Sequence, residues 1–295
     1  MLKYLRIGKQ ETPTGPDPIE LSRRRLATAP DLPIALRSLN DLDQNIKQRI
    51  YRSLIPHQIL SRFDIDPITW EGPGKTARVS FKAEPGSSKI YLEARSPFDP
   101  VDPIFVLEIE DNRFNRLDLN LIVLSDPERQ RFDTDVDDEG RSTLFGTVHR
   151  NLAAEEQAMT SGLAPGQTRP GLRGSAAVFD QLETFLIALG HRSINLEPLT
   201  YASAWVFERR GFAYVQGHKL MDEINEAFQP GGALHLALDG STPFRQPQQW
   251  NSVRGRAWAI HDGILQVLDK HWDGLRMVKQ IGRHANVNTF PGGEY

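Results

Sequence analysis

Arg169-Pro170-Gly171-Leu172-Arg173-Gly174-Ser175 runs directly into a stretch whose apolar residues, Val178, Leu182, Phe185, Leu186 and Leu189, recur at helical spacing and stop at Gly190. That spacing predicts an amphipathic helix with one buried face, and a glycine just past the last apolar residue is a common helix ending. Two glycines and two arginines against a helix N-terminus can offer free backbone N–H groups, the positive end of the helix dipole and cationic side chains to a pyrophosphate. The same residues also suit a tight turn with solvated arginines.

Working outward, Ser193-Ile194-Asn195-Leu196-Glu197 reads as a strand, and residues 200–212, TYASAWVFERRGF, read as a short helix closed by Gly211 and leading into a further strand. Upstream, Val79, Phe81 and Ala83 alternate with polar residues, Pro85-Gly86-Ser87-Ser88 supplies a turn, and Ile90, Leu92 and Ala94 alternate again, which predicts a hairpin. Two more strands are expected at 104–109 and 119–124, joined by a turn at Asp111-Asn112-Arg113; the second is almost continuously apolar, as an interior strand is. Before the hairpin, Leu42, Ile46, Ile50 and Leu54 recur every four residues, with Asn40 as the expected cap and Pro56 beyond the end.

Residues 8–33, rich in Pro, Thr, Asp and Arg, have no periodicity and read as a surface arm. Residues 126–168 are too long for a simple connection and hold an acidic stretch, a short strand or turn at Thr143-Leu144-Phe145 and a helical piece from Ala153 to Thr160; an insertion of this kind is a candidate substrate-side lid. The expected organisation is an arm at 1–39, a domain at 40–220 carrying the 126–168 insertion, and a C-terminal extension at 221–295 with a helix from Gly255 to His271.

The run of strand, Arg/Gly loop, helix, strand and glycine-closed helix resembles the GNAT superfamily of N-acetyltransferases over roughly residues 100–220. In that family the last helix is written approximately Asn-x-x-Ala-x-x-x-Tyr-x-x-x-Gly-Phe; Thr200, Ser203, Phe207, Gly211 and Phe212 fall in register with it, and Ala204 is adjacent to its alanine. The resemblance implies an α/β (α+β) fold with a mixed, mostly antiparallel central sheet flanked by helices. It implies acetyl-CoA or another acyl-CoA as co-substrate, with Arg169, Gly171, Leu172, Arg173, Gly174 and Ser175 at its pyrophosphate, and a small-molecule or peptide amine as acceptor. Two departures stand out. The family loop usually reads Arg-Gly-x-Gly-x-Gly or Ala, and the tyrosine that serves many members as general acid is Phe207 here, which has no proton to donate. Tyr201 and Tyr214 flank the same helix as substitutes. Without such an acid, the alternative is a non-catalytic acyl-CoA or small-ligand binding protein on the same fold; a third reading is a structural or partner-binding protein with an ordinary turn at 169–175.

Deprotonating an amine needs a base, and in this fold a strand carboxylate often serves; Glu108 and Glu110 share one face of the 104–109 strand region by period-two spacing, and Glu197 ends the later strand. Each also suits a solvated rim. The acidic run at 133–140 fails the calcium-loop pattern, since Asp138 and Leu144 occupy its glycine and glutamate positions, and no histidine pair has metal spacing, so no metal is expected. A net charge of −3 gives no field for nucleic acid, and no apolar run matches a bilayer. The absence of cysteine removes disulfides and thiolate catalysis and suits a cytoplasmic protein. A homodimer stays open.

Overall fold

The computed structural model describes residues 32–99, 101–114, 116–144 and 149–295. Most of the expected arm and Phe145 lie outside these. Strands are β1 (Glu71–Gly72), β2 (Thr76–Ala77), β3 (Val79–Lys82), β4 (Lys89–Arg95), β5 (Pro103–Asp111), β6 (Leu117–Leu124), β7 (Ser193–Leu196), β8 (Ala213–Gln216) and β9 (Arg276–Gln280). Helices are α1 (Leu36–Asn40), α2 (Gln44–Tyr51), α3 (His57–Ser61), α4 (Leu152–Thr160), α5 (Ser175–Leu189), α6 (Tyr201–Arg209), α7 (His218–Ala227), α8 (Ala233–Leu236) and α9 (Val253–His261).

Seven strands form one sheet in the order β3-β4-β5-β6-β7-β9-β8, antiparallel except at β6 and β7. This is the mixed, mostly antiparallel α+β architecture with flanking helices, consistent with a GNAT-like fold. Alternation sets its faces. Leu92 stands opposite Leu107 and Ile90 opposite Ile109, and all four are fully buried. They share one apolar core with Val178, Leu182, Phe185, Leu186 and Leu189 of α5, the helix that the spacing predicts, which ends on left-handed Gly190. Fully burying each large side chain there contributes roughly 1.5–3 kcal/mol relative to exposure.

Where β6 meets β7 the pairing is short. Only Leu117, Asp118 and Leu119 face β7 residues, while β6 runs on to Leu124. The two parallel strands thus part at the end nearest the 169–175 loop, whose Gly171 passes so close to the Leu124 carbonyl that an added Cβ would lie 3.2 Å from it.

Three expectations change. Asn40 is not a helix cap: Asp43 accepts from the Asn45 N–H and caps α2, while buried Asn40 donates its amide to the carbonyls of Ser87 and Lys89 and accepts from the Tyr51 hydroxyl. The boundary at 220 falls inside the fold, because β9 is inserted between β7 and β8; residues 217–275 are a long excursion between two strands of one sheet. The helix expected from Gly255 to His271 stops at His261, where left-handed Gly263 turns the chain into a short 3-10 segment at 264–268.

The insertion packs on that excursion. Phe132, Ala158 and Leu163 from the one, with Phe244 and Trp258 from the other, make a second, smaller apolar cluster, and the Trp258 indole N–H donates to the Leu163 carbonyl at 2.7 Å. Residues 126–144 and 149–168 therefore form part of the body, not a separate flap.

Candidate functional site

The site grows from the N-terminus of α5. Gly174 is the residue before it and carries no side chain to cap the helix; the first bond along the turn is from Val178 N–H to the Gly174 carbonyl. Among the described residues the amides of Ser175, Ala176 and Ala177 have no acceptor. Uncapped amides at a dipole's positive end favour an anion.

Arg173 precedes this turn with a φ of 57°, in the left-handed region, and its side chain is exposed with no ion pair among the described residues. A second cation comes from another helix. Arg210, at the C-terminal end of α6, donates from Nη2 to Ser175 Oγ at 2.8 Å, and its buried Nε has no partner. No described carboxylate pairs with it. Two guanidinium groups and a helix N-terminus are alike in sign, so an anion between them relieves repulsion and satisfies unpaired donors together. Arg210 leads into Gly211, where φ is 85° and a Cβ would stand 3.0 Å from the His284 Cα, so the turn there favours glycine. Phe212 then enters the core fully buried.

Arg169 does something else. Its guanidinium is buried and donates to Asp102 at 2.9 Å, to Asp99 at 2.6 Å and to the carbonyls of Pro127 and Arg129. It is fully occupied in tying the loop to the insertion, so no free cation stands at 169; Arg173 and Arg210 are the guanidinium groups at this turn without a described carboxylate partner. Leu172 packs its side chain on the main core, while a Cβ at Gly171 would meet the Leu124 carbonyl at 3.2 Å and one at Gly174 the Ile59 side chain at 3.4 Å.

The candidate carboxylates are not brought to this loop by any hydrogen bond or ion pair. Glu108 and Glu110 do share a face, where both pair with Lys89 and accept from the Asn120 amide. Glu197 is solvent-exposed and pairs with Arg276 at 2.8 Å. Phe207 packs edge-on against Phe179 and beside Phe212, a structural aromatic group. The Tyr201 hydroxyl accepts from Arg256 and the Tyr214 hydroxyl donates its proton in a hydrogen bond to Glu208, and burial pushes both up from the ordinary phenol range.

What sequence reasoning missed is a buried charged group around α4 and α9. Glu155 accepts from Arg150, and His261 Nε2 lies 3.2 Å from Glu155 Oε1; Arg150 also reaches Asp262 at 3.0 Å. Burial would raise the Glu155 pKa, but the hydrogen bonds from His261 and Arg150 outweigh it and hold the carboxyl below its usual range. No local motif marks these residues.

Among the described residues no cluster of three or more His, Asp or Glu could hold a metal ion, and no helix is long and apolar enough to cross a membrane. Comparison with protein-family models, with curated proteins and with solved structures finds no match to this chain.

Proposed function

We propose that the chain is an acyl-CoA-dependent N-acyltransferase that moves an acetyl group from a thioester to an amine. The observation that carries this reading is the Arg210 guanidinium, without a described carboxylate partner, at the uncapped N-terminus of α5, near exposed Arg173 in the chain. The residues fit a pyrophosphate: the amides of 175–177 and the two arginines supply donors and positive charge. The parting of β6 from β7 beside this loop suits an extended ligand, since the strand edge there offers backbone groups to a chain-like partner. The resemblance of residues 100–220 to GNAT enzymes names the ligand class. The acceptor is a small-molecule or peptide amine.

A second reading is favoured by one residue. Phe207, in the place of the family's acid, belongs to a non-catalytic acyl-CoA or small-ligand binding protein as readily as to an enzyme whose thiolate product is protonated by water.

Calorimetric titration with coenzyme A separates these from an ordinary turn. Wild type binds, and Arg210→Ala and Gly174→Asp each weaken binding by about tenfold or more, because a charge-assisted contact is worth roughly 1.5–3 kcal/mol. Gly174→Asp has room to fold, since a Cβ there touches only the Ile59 side chain at 3.4 Å. Equal affinity in all three proteins, or no binding at millimolar ligand, overturns the cofactor assignment. Release of thiol from acetyl-CoA across an amine panel then decides between enzyme and binding protein.

A further inference from the structure

Beside the loop lies a cavity of about 250 Å³. It is walled by the start of β5, the end of β6 and Ser125 just past it, the insertion and the last turn of α9, and it has room for a small organic molecule, not merely one water. Three observations concern its lining. Ser125 is 6% exposed and its Oγ has no hydrogen-bond partner, so a buried hydroxyl lines the cavity unsatisfied. Asp102, Asp135 and Glu155 line it as well, and no lysine or arginine does; the arginines that pair with these carboxylates, Arg131, Arg169 and Arg150, are outside the lining. His261 completes the wall. A lining that is mostly apolar, with an unpaired hydroxyl and three carboxylates as polar groups, suits a small ligand with an apolar body and a hydrogen-bond-donating head such as an amine.

His261 is arranged for proton transfer. With Glu155 held ionised, the imidazole Nε2 carries the hydrogen that the carboxylate accepts, and Nδ1 is left as the basic nitrogen. Glu155 is itself held by Arg150, so the carboxylate that meets the ring is fixed.

We propose that this cavity holds the amine acceptor and that His261, oriented by Glu155, takes the proton the bound ammonium must lose. The binding stands by itself; the chemistry rests on the acyltransferase reading. The ammonium gives one proton to His261 Nδ1, and the freed nitrogen lone pair forms a C–N bond to the thioester carbonyl carbon. The C–S bond breaks with its electron pair on sulfur, and the second amine proton passes through water to the thiolate. The products are amide, thiol and imidazolium. Asp102 and Ser125 hold the ammonium, and Glu155 is a positioning residue.

The probe is n-butylamine, with n-butyrate as the charge control, followed by proton–nitrogen spectra of the histidine rings without any thioester present; the His261 signals are assigned by their loss in His261→Asn. Saturable movement of those signals with butylamine and none with butyrate is expected, and Ser125→Ala weakens the response about tenfold by removing a contact to a charged group. In His261→Asn, where the amide can still reach Glu155, butylamine affinity measured by calorimetry stays within a few-fold, while acetyl transfer to butylamine falls by roughly a hundredfold or more. Butylamine that leaves the His261 ring unmoved, or an unaltered response in Ser125→Ala, overturns the proposal. Failure of coenzyme A to bind, with butylamine still moving His261, removes the acyltransferase reading and leaves the cation cavity in place. Coenzyme A binding with no amine response does the reverse.

Discussion

Around Leu107 and Leu182 the interior is almost wholly apolar, with strand and helix side chains buried to within a few per cent and hardly a charge among them. Around Trp258 the interior is small, and it is surrounded by ion pairs: Arg150 joins Glu155 to Asp262 and stacks over Phe244, Arg245 reaches Asp262 from the other side, and Arg169 and Arg131 share Asp102. The two regions are held by different physics. Apolar burial is non-directional and tolerant of which residue meets which, so it makes a rigid platform from simple periodicity. Buried ion pairs are specific, costly when broken and only modestly stabilising when made, so they fix geometry more than they add stability. The cavity, with His261 and Glu155, lies in the second region; the arginine-framed helix N-terminus stands on the first.

The strongest way to break this contrast is Arg150→Ala. It removes the cation shared by Glu155 and Asp262, whose side chains are 3% and 11% exposed, but leaves His261 on the one and Arg245 on the other, so the cost should be roughly 1.5–3 kcal/mol. If the regions are distinct, hydrogen exchange will show the amides of α4 and α9 losing protection while β5 and β6 keep theirs. Uniform loss across the sheet would mean that the satellite is no more than an outer layer of one cooperative core.

The same contrast explains what can be read from residues alone. The hairpin, the two long strands, α5 and the Gly211-Phe212 ending each declare themselves through a local period or a positional glycine, and all of them are in the structure. The charged group has no such signature. His261 meets Glu155 across 106 residues, Arg150 meets Asp262 across 112, and Arg169 meets Asp99 across 70, and no spacing rule connects residues so far apart. Arg169 reads as a free cation because it sits beside Gly171, whereas the acids that occupy it lie upstream of β5. Arg210 is in plain view next to Gly211, but only the packing of α6 against the start of α5 gives it a partner. The break in the helix after His261 has a visible cause in Gly263, and the continuity of the apolar pattern through Ile264, Leu265 and Leu268 conceals it.

A medium effect tests whether charge is as poorly tolerated in the apolar region as it is well matched in the other. Asp111 ends β5 and accepts from the Arg37 backbone N–H, but its buried Oδ1 has no partner, and burial pushes its pKa up to about 6. Because the folded value is raised, the native state binds a proton more tightly than the unfolded chain does, and ionised Asp111 opposes folding above that pH. The penalty fades as pH falls toward the ordinary carboxylate range, where both states are protonated. Asp111→Asn should therefore stabilise the protein at about pH 7.5 by roughly 1 kcal/mol after allowance for solvent screening, with the gain gone at about pH 4. Glu155 has the opposite sign: its folded pKa is lowered, so its contribution is present at neutral pH and lost as pH falls below the usual carboxylate range. Melting curves of wild type and Asp111→Asn at the two pH values check this, and a gain that does not depend on pH would assign it to packing instead of charge.

The smallest expected change in stability is at Arg173, and it bears most directly on the α5 site. Its left-handed backbone costs an L-residue on the order of 1–2 kcal/mol, which glycine would not incur. Glycine gives back roughly 0.4–1 kcal/mol through the greater freedom of the unfolded chain. Arg173→Gly should thus leave the melting temperature level or slightly raised, while coenzyme A affinity falls by about tenfold with the lost charge. Arg173→Ala loses the same charge and keeps the strain, so the gap in melting temperature between the two variants isolates the backbone term, and their equal loss of affinity isolates the guanidinium. A glycine variant less stable than the alanine variant would mean that residue 173 is relaxed where it stands. Strain without a binding penalty would make the bend a consequence of joining Gly171, held against Leu124, to the start of α5. Strain together with a tenfold loss in both variants is the pattern of a residue held in an unfavourable conformation because its side chain is needed at the anion.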